Sequence, residues 1–289
     1  MYIDSHGDKR YKIGLHTHTS FSDGRKTVEE ASEIYKNSGY DAIAVTDHWV
    51  YHGEDTVNGL LLLSGTEFNT GDNRTENGNM HIVGVGMSGD HGITRQMSRQ
   101  EIIDRINASG GIAILAHPDW SLVSPEFASS LHGFSAIEIY NTVSDCGESF
   151  RPYSGYFIDI MANKGYILPL VADDDVHYYD GSDECKSFVM VKAERLTKEN
   201  ILDAIKKGDF YSTQGPELLV NRDGRHITVE CSPADRICFV SNLAWAPHRC
   251  LRDKGRTHAE YDAVNGESWL RVEITTPSGD AWSNIISFD

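Results

Sequence analysis

The stretch GLHTHTSFSDG, residues 14–24, places two histidines one residue apart at the end of a short apolar run. Side chains two residues apart on an extended strand point the same way, so His16 and His18 should project together from one face. Asp23 follows in a turn that ends at Gly24. Two imidazoles at the end of a strand would form half of a metal site, and the rest of the chain must supply the other ligands.

Apolar segments alternate with helix-like segments through residue 212. Thr27, with Glu30 three residues later, has the capping-box pattern that begins a helix. The pattern predicts strands over 12–16, 42–46, 61–67, 81–86, 111–116, 135–140, 166–171 and 187–193, and helices over 27–37, 98–109, 125–131, 154–163 and 197–207. Strands separated by helices favour an α/β fold with a parallel sheet. At 289 residues, this predicts a closed barrel of the TIM type or a near relative.

The pattern changes after about Gly208, where short alternating segments separated by turn residues begin. Strands are predicted over 226–231, 237–240, 270–275 and 284–288. We therefore expect a barrel domain over 1–212 and a small antiparallel β domain over 213–289. Trp245, Trp269 and Trp282 are expected to form the core of the small domain.

Residues that can bind metals recur where the predicted strands end. They are His16, His18, Asp47, His48, Glu67, His117, Asp173, Asp174, Asp175 and His177, with Asn141 at another strand end, whereas His81 begins its strand. Each has an ordinary explanation, such as a structural histidine, a turn-forming aspartate or a solvated loop. Because the C-terminal ends of parallel barrel strands meet at one mouth, their joint occurrence indicates a metal centre.

Composition excludes several classes of protein. The net charge of −17 disfavours a binder of nucleic acid, because phosphate backbones require Lys and Arg. The sequence contains no run of roughly 18 apolar residues, so no membrane span is predicted. The first residues do not resemble a secretory signal, so we expect a cytoplasmic protein. The five cysteines are scattered and form no CxxC pair, so we expect them to be reduced.

Six segments together resemble the PHP (polymerase and histidinol phosphatase) superfamily. In order they are LHTHTSFSDG, VTDH, GTEF, the histidine before IVGVG, AHP and DDDVH. The resemblance covers roughly residues 12–212 and implies a distorted (β/α)7 barrel with two or three divalent metals. GDFYSTQGPE and AWSN further resemble the carbaryl-esterase-like (CehA/McbA) branch.

The resemblance also implies three groups of metal ligands. His16, His18, Glu67 and Asp175 would hold one ion; Asp23, His48 and His177 would hold a second; and Glu67 would bridge to a third with His81 and His117. Imidazole and carboxylate ligands suit zinc, manganese or iron better than magnesium or calcium. Glu67, Asp175 and His177 are the expected catalytic residues. Asp47, Asp173 and Asp174 are better explained as structural neighbours of the ligands.

This ligand set favours a metal-dependent phosphoesterase that acts on a small-molecule phosphate ester. Divalent ions generate hydroxide from a bridging water near neutral pH and neutralise charge on a phosphoryl group. Arg25 and Arg151 are candidates for contacting phosphate oxygens, although either could be an ordinary surface arginine. The alternatives are a carbamate, amide or carboxylic ester hydrolase and a non-catalytic metal-loaded binding module. The sequence identifies neither the general acid nor the oligomeric state.

Overall fold

The computed structural model describes residues 1–72, 74–75 and 77–288. This part of the chain contains five α-helices, and each lies where the sequence predicts one. They are α1 (Val28–Asn37), α2 (Arg99–Ala108), α3 (Pro125–Ala128), α4 (Gly155–Asn163) and α5 (Lys198–Lys207). The predicted capping box begins α1, where the Thr27 side chain accepts from the Glu30 amide and the Glu30 side chain accepts from the Thr27 amide.

Twenty strands accompany the helices in the described residues. They are β1 (Tyr2–Ile3), β2 (Lys9–Gly14), β3 (Ala42–Ala44), β4 (Asp55–Val57), β5 (Leu60–Leu63), β6 (Gly65–Gly71), β7 (Asn79–Val85), β8 (Ile112–Ala116), β9 (Phe134–Asn141), β10 (Leu170–Asp173), β11 (Phe188–Lys192), β12 (Phe210–Thr213), β13 (Leu218–Asp223), β14 (His226–Ala234), β15 (Arg236–Ser241), β16 (Cys250–Leu251), β17 (Arg256–Asp262), β18 (Trp269–Thr276), β19 (Gly279–Trp282) and β20 (Ile286–Ser287). The strands form sheets of twelve, five and three strands.

The strands around the histidine-rich segments are not all parallel, contrary to the prediction. In the five-stranded sheet, ordered β10-β9-β8-β7-β6, β7 is antiparallel to both β6 and β8, whereas β8, β9 and β10 are parallel. The reversal explains why His81 comes at the beginning of its strand. His81 lies opposite Ala116, the last residue of β8, so it reaches the edge of the sheet where His117 follows.

The predicted strand 61–67 is two strands. The strand is interrupted at Ser64: β5, which precedes it, pairs with β3, and β6, which follows it, pairs with β7. A Cβ on Gly65 would lie 2.7 Å from the Val45 carbonyl oxygen, so the backbones approach there in a way that only glycine allows. Glu67 therefore lies near the beginning of β6 rather than at the end of a strand.

Single β-bridges join the two larger sheets near the histidines. Thr17, after β2, bridges Val176, after β10, and His48, after β3, bridges Glu67 in β6. Among the described residues the strands do not form one closed sheet. The fold is therefore mixed α/β, and closure into a (β/α)7 barrel is not confirmed.

The C-terminal strands are antiparallel, as the sequence predicts, but they continue a sheet of the N-terminal part. β19 pairs with β12, so the order β15-β18-β19-β12-β11-β2 runs without a break. The expected tryptophan core of the small domain is wrong. Trp245 is 78% exposed, and Trp269 and Trp282 are buried, but Trp282 lies in an apolar cluster outside that domain. Trp282 packs with side chains of the five-stranded sheet.

The expectation that all cysteines are reduced is also wrong. Cys238 in β15 and Cys250 in β16 form a disulfide, whereas Cys146, Cys185 and Cys231 are free. Cys238 and Cys250 are directly opposed in an antiparallel pair, with Cα atoms 4.2 Å apart. Nothing in their spacing along the chain shows that the two strands pair.

Within the described residues, no helix combines the length and the apolar character needed to cross a membrane.

Candidate metal centre

His16 and His18 follow β2 and converge as the strand geometry predicts. Their Nε2 atoms lie 3.2 Å apart, and both side chains are buried. A donor pair this close, with no solvent access, places two imidazoles around one point in space. These two residues therefore lie together, as the first half of the predicted metal site requires.

Glu67 lies at the middle of the histidine cluster. Its Oε2 is 3.1 Å from His18 Nε2 and 3.0 Å from His48 Nδ1, and it also faces His16 Nε2 at 3.3 Å. Its Oε1 is 2.7 Å from His81 Nδ1 and 3.5 Å from His117 Nε2. One carboxylate thus faces five imidazoles, an arrangement that suits a bridging ligand.

Asp175 supplies the second buried carboxylate. Its Oδ1 lies 3.0 Å from His18 Nε2 and 3.2 Å from His16 Nε2, and its Oδ2 lies 3.5 Å from His117 Nε2. Asp175 has a φ of 52°, in the left-handed region, where a non-glycine residue is uncommon and strained. The turn after β10 therefore directs this carboxylate toward the histidines of two other strand ends.

Asp23, His48 and His177 form a more open group at the rim. Asp23 Oδ1 lies 3.5 Å from His177 Nε2 and its Oδ2 lies 3.6 Å from His48 Nε2. The Asp23 side chain is 52% exposed, whereas each of the two histidines is 20% exposed. The buried group and the rim group meet at His18, whose Nδ1 is 3.4 Å from Asp23 Oδ1.

The donor atoms fit divalent metals. Within this cluster, three sets of donors are each close enough to surround an ion: His16, His18, Glu67 and Asp175; His18, Asp23, His48 and His177; and His48, Glu67 and His81. Glu67 Oε2, Asp175 Oδ1 and His48 Nδ1 are buried and make no hydrogen bond, although a nitrogen or oxygen lies close to each. Buried polar atoms are normally satisfied, so their convergence without hydrogen bonds fits a cation held between them.

A cavity of about 370 Å³ opens over the cluster. Its floor includes Glu67, Asp175 and His117, and Trp120 forms part of its wall, with its ring 4.8 Å from the His117 ring. Residues of two loops complete the wall: Val143, Ser144, Cys146, Glu148 and Ser149, and Tyr178. A small molecule entering this cavity would therefore reach the carboxylates and imidazoles directly.

Comparison with known proteins shows the family of this chain. Residues 14–181 match the family model of the PHP domain, which spans more than half of the chain. The chain belongs to the PHP domain family. All nine predicted ligands lie inside the matched region.

Relatives of this PHP domain chain are distant. An uncharacterized protein of Methanocaldococcus jannaschii is 32% identical over 119 residues, which cover 37% of this chain and 67% of the relative. A two-domain protein from Bacteroides vulgatus, described as containing a predicted PHP-like metal-dependent phosphoesterase, has a TM-score of 0.57 at 15% identity over 96% of both chains. A lesion-specific endonuclease from Pyrococcus furiosus has a TM-score of 0.50 at 17% identity over 69% of this chain and 56% of the endonuclease. At these identities the two structures show a shared fold.

The predicted phosphate-binding arginines lie outside the cavity wall. Arg25 is exposed and stacks on Tyr178, with its guanidinium carbon 4.7 Å from the ring centroid. Arg151 is exposed as well, and neither arginine is among the described residues that line the cavity. Arg25 is therefore connected to the cavity through Tyr178.

Asp47 and Asp174 stabilise loops around the PHP site, as expected. Asp47 Oδ1 accepts hydrogen bonds from the backbone amides of Thr19 at 2.8 Å and Ser22 at 3.1 Å, which fixes the turn that carries Asp23. Asp174 Oδ1 accepts from the Ser187 amide at 2.7 Å. Both carboxylates hold backbone in place.

The sequence interpretation missed Glu138, which lies in β9. Glu138 Oε1 is 2.7 Å from His16 Nδ1, and its Oε2 accepts from the His117 amide at 2.8 Å. The residue is 1% exposed. The available signal was a lone charge in the apolar run FSAIEIY, because a carboxylate in the middle of a buried strand requires hydrogen-bonding partners.

We expect Glu138→Gln to weaken metal binding by about 10- to 100-fold, because the carboxylate fixes the ring orientation and raises the basicity of His16. The amide keeps the shape, so the melting temperature should change little. Titration of the metal-free protein with Mn²⁺ measures the effect, with the exposed Glu126→Gln as the matched control. Equal affinities for the two variants would contradict a positioning role for Glu138.

Metal loading should release protons. Burial by itself lowers the pKa of His16, but Asp175, Glu67 and Glu138 raise it well above its ordinary value. The carboxylates likewise raise the pKa of His18 and His117 against burial. His16 and His18 therefore carry protons near pH 7 in metal-free protein, and metals must displace them.

The apparent affinity should accordingly rise as pH increases above 6.5, the ordinary histidine value, and it should fall as pH decreases. Calorimetric Mn²⁺ titrations in buffers of different ionisation enthalpy count the released protons, and we expect more than one per protein. A pH-independent affinity with no proton release would contradict this electrostatic picture.

Proposed function

We propose that this PHP protein is a metal-dependent hydrolase, and specifically a phosphoesterase that acts on a small-molecule phosphate ester. The observation that carries the proposal is the pair of buried carboxylates, Glu67 and Asp175, which face the imidazoles at the floor of a cavity. Two or three divalent transition ions, zinc, manganese or iron, suit these donors.

Bound divalent ions would supply Lewis acidity and lower the pKa of a water molecule, which is the chemistry that phosphate ester hydrolysis requires. The chain holds the donors for this role in fixed orientations. His177 Nδ1 lies 2.6 Å from the Asp175 backbone oxygen and donates to it, so its Nε2 presents a lone pair to the cavity. Glu67, Asp175 and His177 are therefore the residues to which we assign catalytic roles.

The size of the cavity also supports the proposal of a small substrate. At about 370 Å³ it is the size of a pocket for a small organic molecule. The net charge of −17 opposes a long anionic partner such as a nucleic acid strand, whereas bound divalent cations would make the cavity floor locally positive. Arg25 is our candidate for contacting substrate oxygens at the rim, with Arg151 as the second candidate.

The finer structural assignments belong to the same proposal. The bridges of Thr17 with Val176 and of His48 with Glu67 favour a distorted (β/α)7 barrel. We retain 1–212 and 213–289 as the barrel domain and the β domain, and the CehA/McbA-like branch as the subgroup.

The same donors suit hydrolysis of a carbamate, amide or carboxylic ester, because a polarised carbonyl makes similar demands on the site. Parallel assays with p-nitrophenyl phosphate and an aryl carbamate, with metal content measured in each sample, separate the two activities. We expect phosphate release that depends on metal loading. Carbamate turnover alone would favour the alternative, and metal binding without either activity would favour a binding module.

A further inference from the structure

The cavity wall contains one long loop, residues 141–153, which we call the cavity loop. Val143, Ser144, Cys146, Glu148 and Ser149 of this loop line the cavity. The two ends of the loop meet, because Asn141 N donates to Pro152 O at 2.9 Å and Tyr140 forms a bridge with Tyr153. A compact loop closed at its base can move as a unit if the base is released.

The beginning of the cavity loop directly contacts the proposed metal ligand Asp175 and the positioning residue Glu138. Asn141 Nδ2 donates to Asp175 Oδ2 at 3.2 Å and to Glu138 Oε2 at 2.8 Å. Asn141 Oδ1 accepts from the Ser144 amide at 3.1 Å and from the Ser144 hydroxyl at 2.8 Å. A displacement of the loop would therefore reach the cavity wall and a metal-binding carboxylate together.

The base of the loop rests on the C-terminal strands. The rings of Tyr140 and Tyr153 both stack on Trp282 of β19, with centroid distances of 5.3 and 6.4 Å. The Tyr153 hydroxyl donates to Glu273 of β18, which also pairs with Arg271. Trp282 and Glu273 are register partners, so one patch of the β18–β19 hairpin holds both ends of the loop.

Arg271 connects this patch to the helix that follows the loop. It is 2% exposed, and it donates from Nε to Asp159 Oδ1 of α4 at 2.9 Å and from Nη2 to Asp159 Oδ2 at 3.1 Å. A buried arginine between two carboxylates is costly to displace, because either partner would be left as an unpaired charge. The hairpin, the loop base and α4 are thus fixed to one another.

We propose that the β18–β19 hairpin is a positioning element for the active site, which acts through Tyr153 to hold the cavity loop against the substrate. This inference rests on the proposed function. It assigns the C-terminal strands a role in substrate binding. Their position in the sequence does not suggest this role, because they lie far along the chain from every metal ligand.

Two substitutions release the loop base without removing a buried charge. Tyr153→Phe deletes only the hydroxyl that contacts Glu273 and Arg271. Gly155→Ala adds a methyl group that meets the end of the Tyr153 ring, which must then move, whereas the backbone at Gly155 accepts an L residue. Matched controls are Tyr156→Phe, at a tyrosine that is 76% exposed, and Gly53→Ala, where a methyl group meets nothing within 4 Å.

Hydrogen exchange followed by mass spectrometry tests how firmly the loop is held at its base, and it requires no enzymatic activity. We expect peptides covering 143–151 to exchange roughly tenfold faster in Tyr153→Phe and Gly155→Ala, the effect of losing about one hydrogen bond to a charged group. Peptides covering 12–20 should be unchanged, and so should both controls. Unchanged exchange at 143–151 in both test variants would overturn the proposal.

Substrate binding supplies the second readout. In Mn²⁺-loaded protein we expect KM for p-nitrophenyl phosphate, and the Kd of inorganic phosphate, to rise roughly tenfold while kcat changes less than about threefold and metal content is constant. Faster exchange with unchanged KM and phosphate affinity would overturn the role in substrate binding. If wild-type protein hydrolyses neither ester, the proposed function fails, while exchange and phosphate affinity still decide the role of the hairpin.

Discussion

Replacing Glu67 by Gln is expected to remove more than one equivalent of metal and to reduce turnover by about 1,000-fold or more. The carboxylate faces five imidazoles from both of its oxygens, so its loss weakens more than one of the donor sets. One bound ion contributes several kcal/mol of transition-state stabilisation, and each 1.4 kcal/mol is tenfold in rate. Metal content measured by plasma emission spectroscopy, together with kcat, tests both parts of this prediction.

Glu260→Gln is the matched control for this change, because it makes the same substitution at an exposed position in β17. It should keep the metal content and the turnover of the wild type. Loss of a single metal equivalent in Glu67→Gln would refute a bridging role. Full retention of metal and activity would remove Glu67 from the site altogether.

Replacing Asp175 by Asn should reduce turnover by about 100- to 1,000-fold while the fold persists. Burial raises the pKa of Asp175, but His16, His18 and His177 lower it far below its ordinary value, so the native group is a carboxylate. Asparagine fills the same volume and keeps the hydrogen bond at one oxygen, but it brings no charge to the metals. A loss of several kcal/mol in the transition state corresponds to this range. Steady-state kinetics and circular dichroism check the two parts of the prediction.

Asp173→Asn is a demanding control for Asp175, because it makes the same change two residues earlier, at the last residue of β10. Asp173 is fully buried, and burial together with Glu138 raises its pKa well above the ordinary value. Its Oδ1 accepts from the Leu15 amide at 2.6 Å, a bond that the asparagine oxygen can also accept. We expect less than a tenfold loss in turnover. Equal losses in the two variants would show that the loss of turnover does not depend on metal binding by Asp175.

The sequence was sufficient for much of the site because the ligands come in local patterns. His16 and His18 share a face by the two-residue period of a strand, and His117 follows a strand that its apolar run predicts. The helices were predictable for a similar reason, since Thr27 and Glu30 form a cap within four residues of chain. Each of these features depends on contacts between near neighbours.

Other features depend on partners that are distant in the sequence. The antiparallel direction of β7 is set by β6 and β8, and it alone explains the place of His81 at the beginning of a strand. Glu138 becomes part of the site only because β9 lies beside β8 and carries its carboxylate to His16. A one-residue change of register would turn that carboxylate to the other face.

By itself the sequence determined the helices, part of the strands and the types of candidate metal-binding side chain, because local periodicity, helix caps and motif chemistry encode them. Tertiary structure decided the strand directions, the disulfide of Cys238 with Cys250, and the packing of the base of the cavity loop against Trp282. These features depend on which distant segments pair in space. Pairing of this kind arises from the burial of apolar surface by the whole chain, so no short stretch of sequence specifies it.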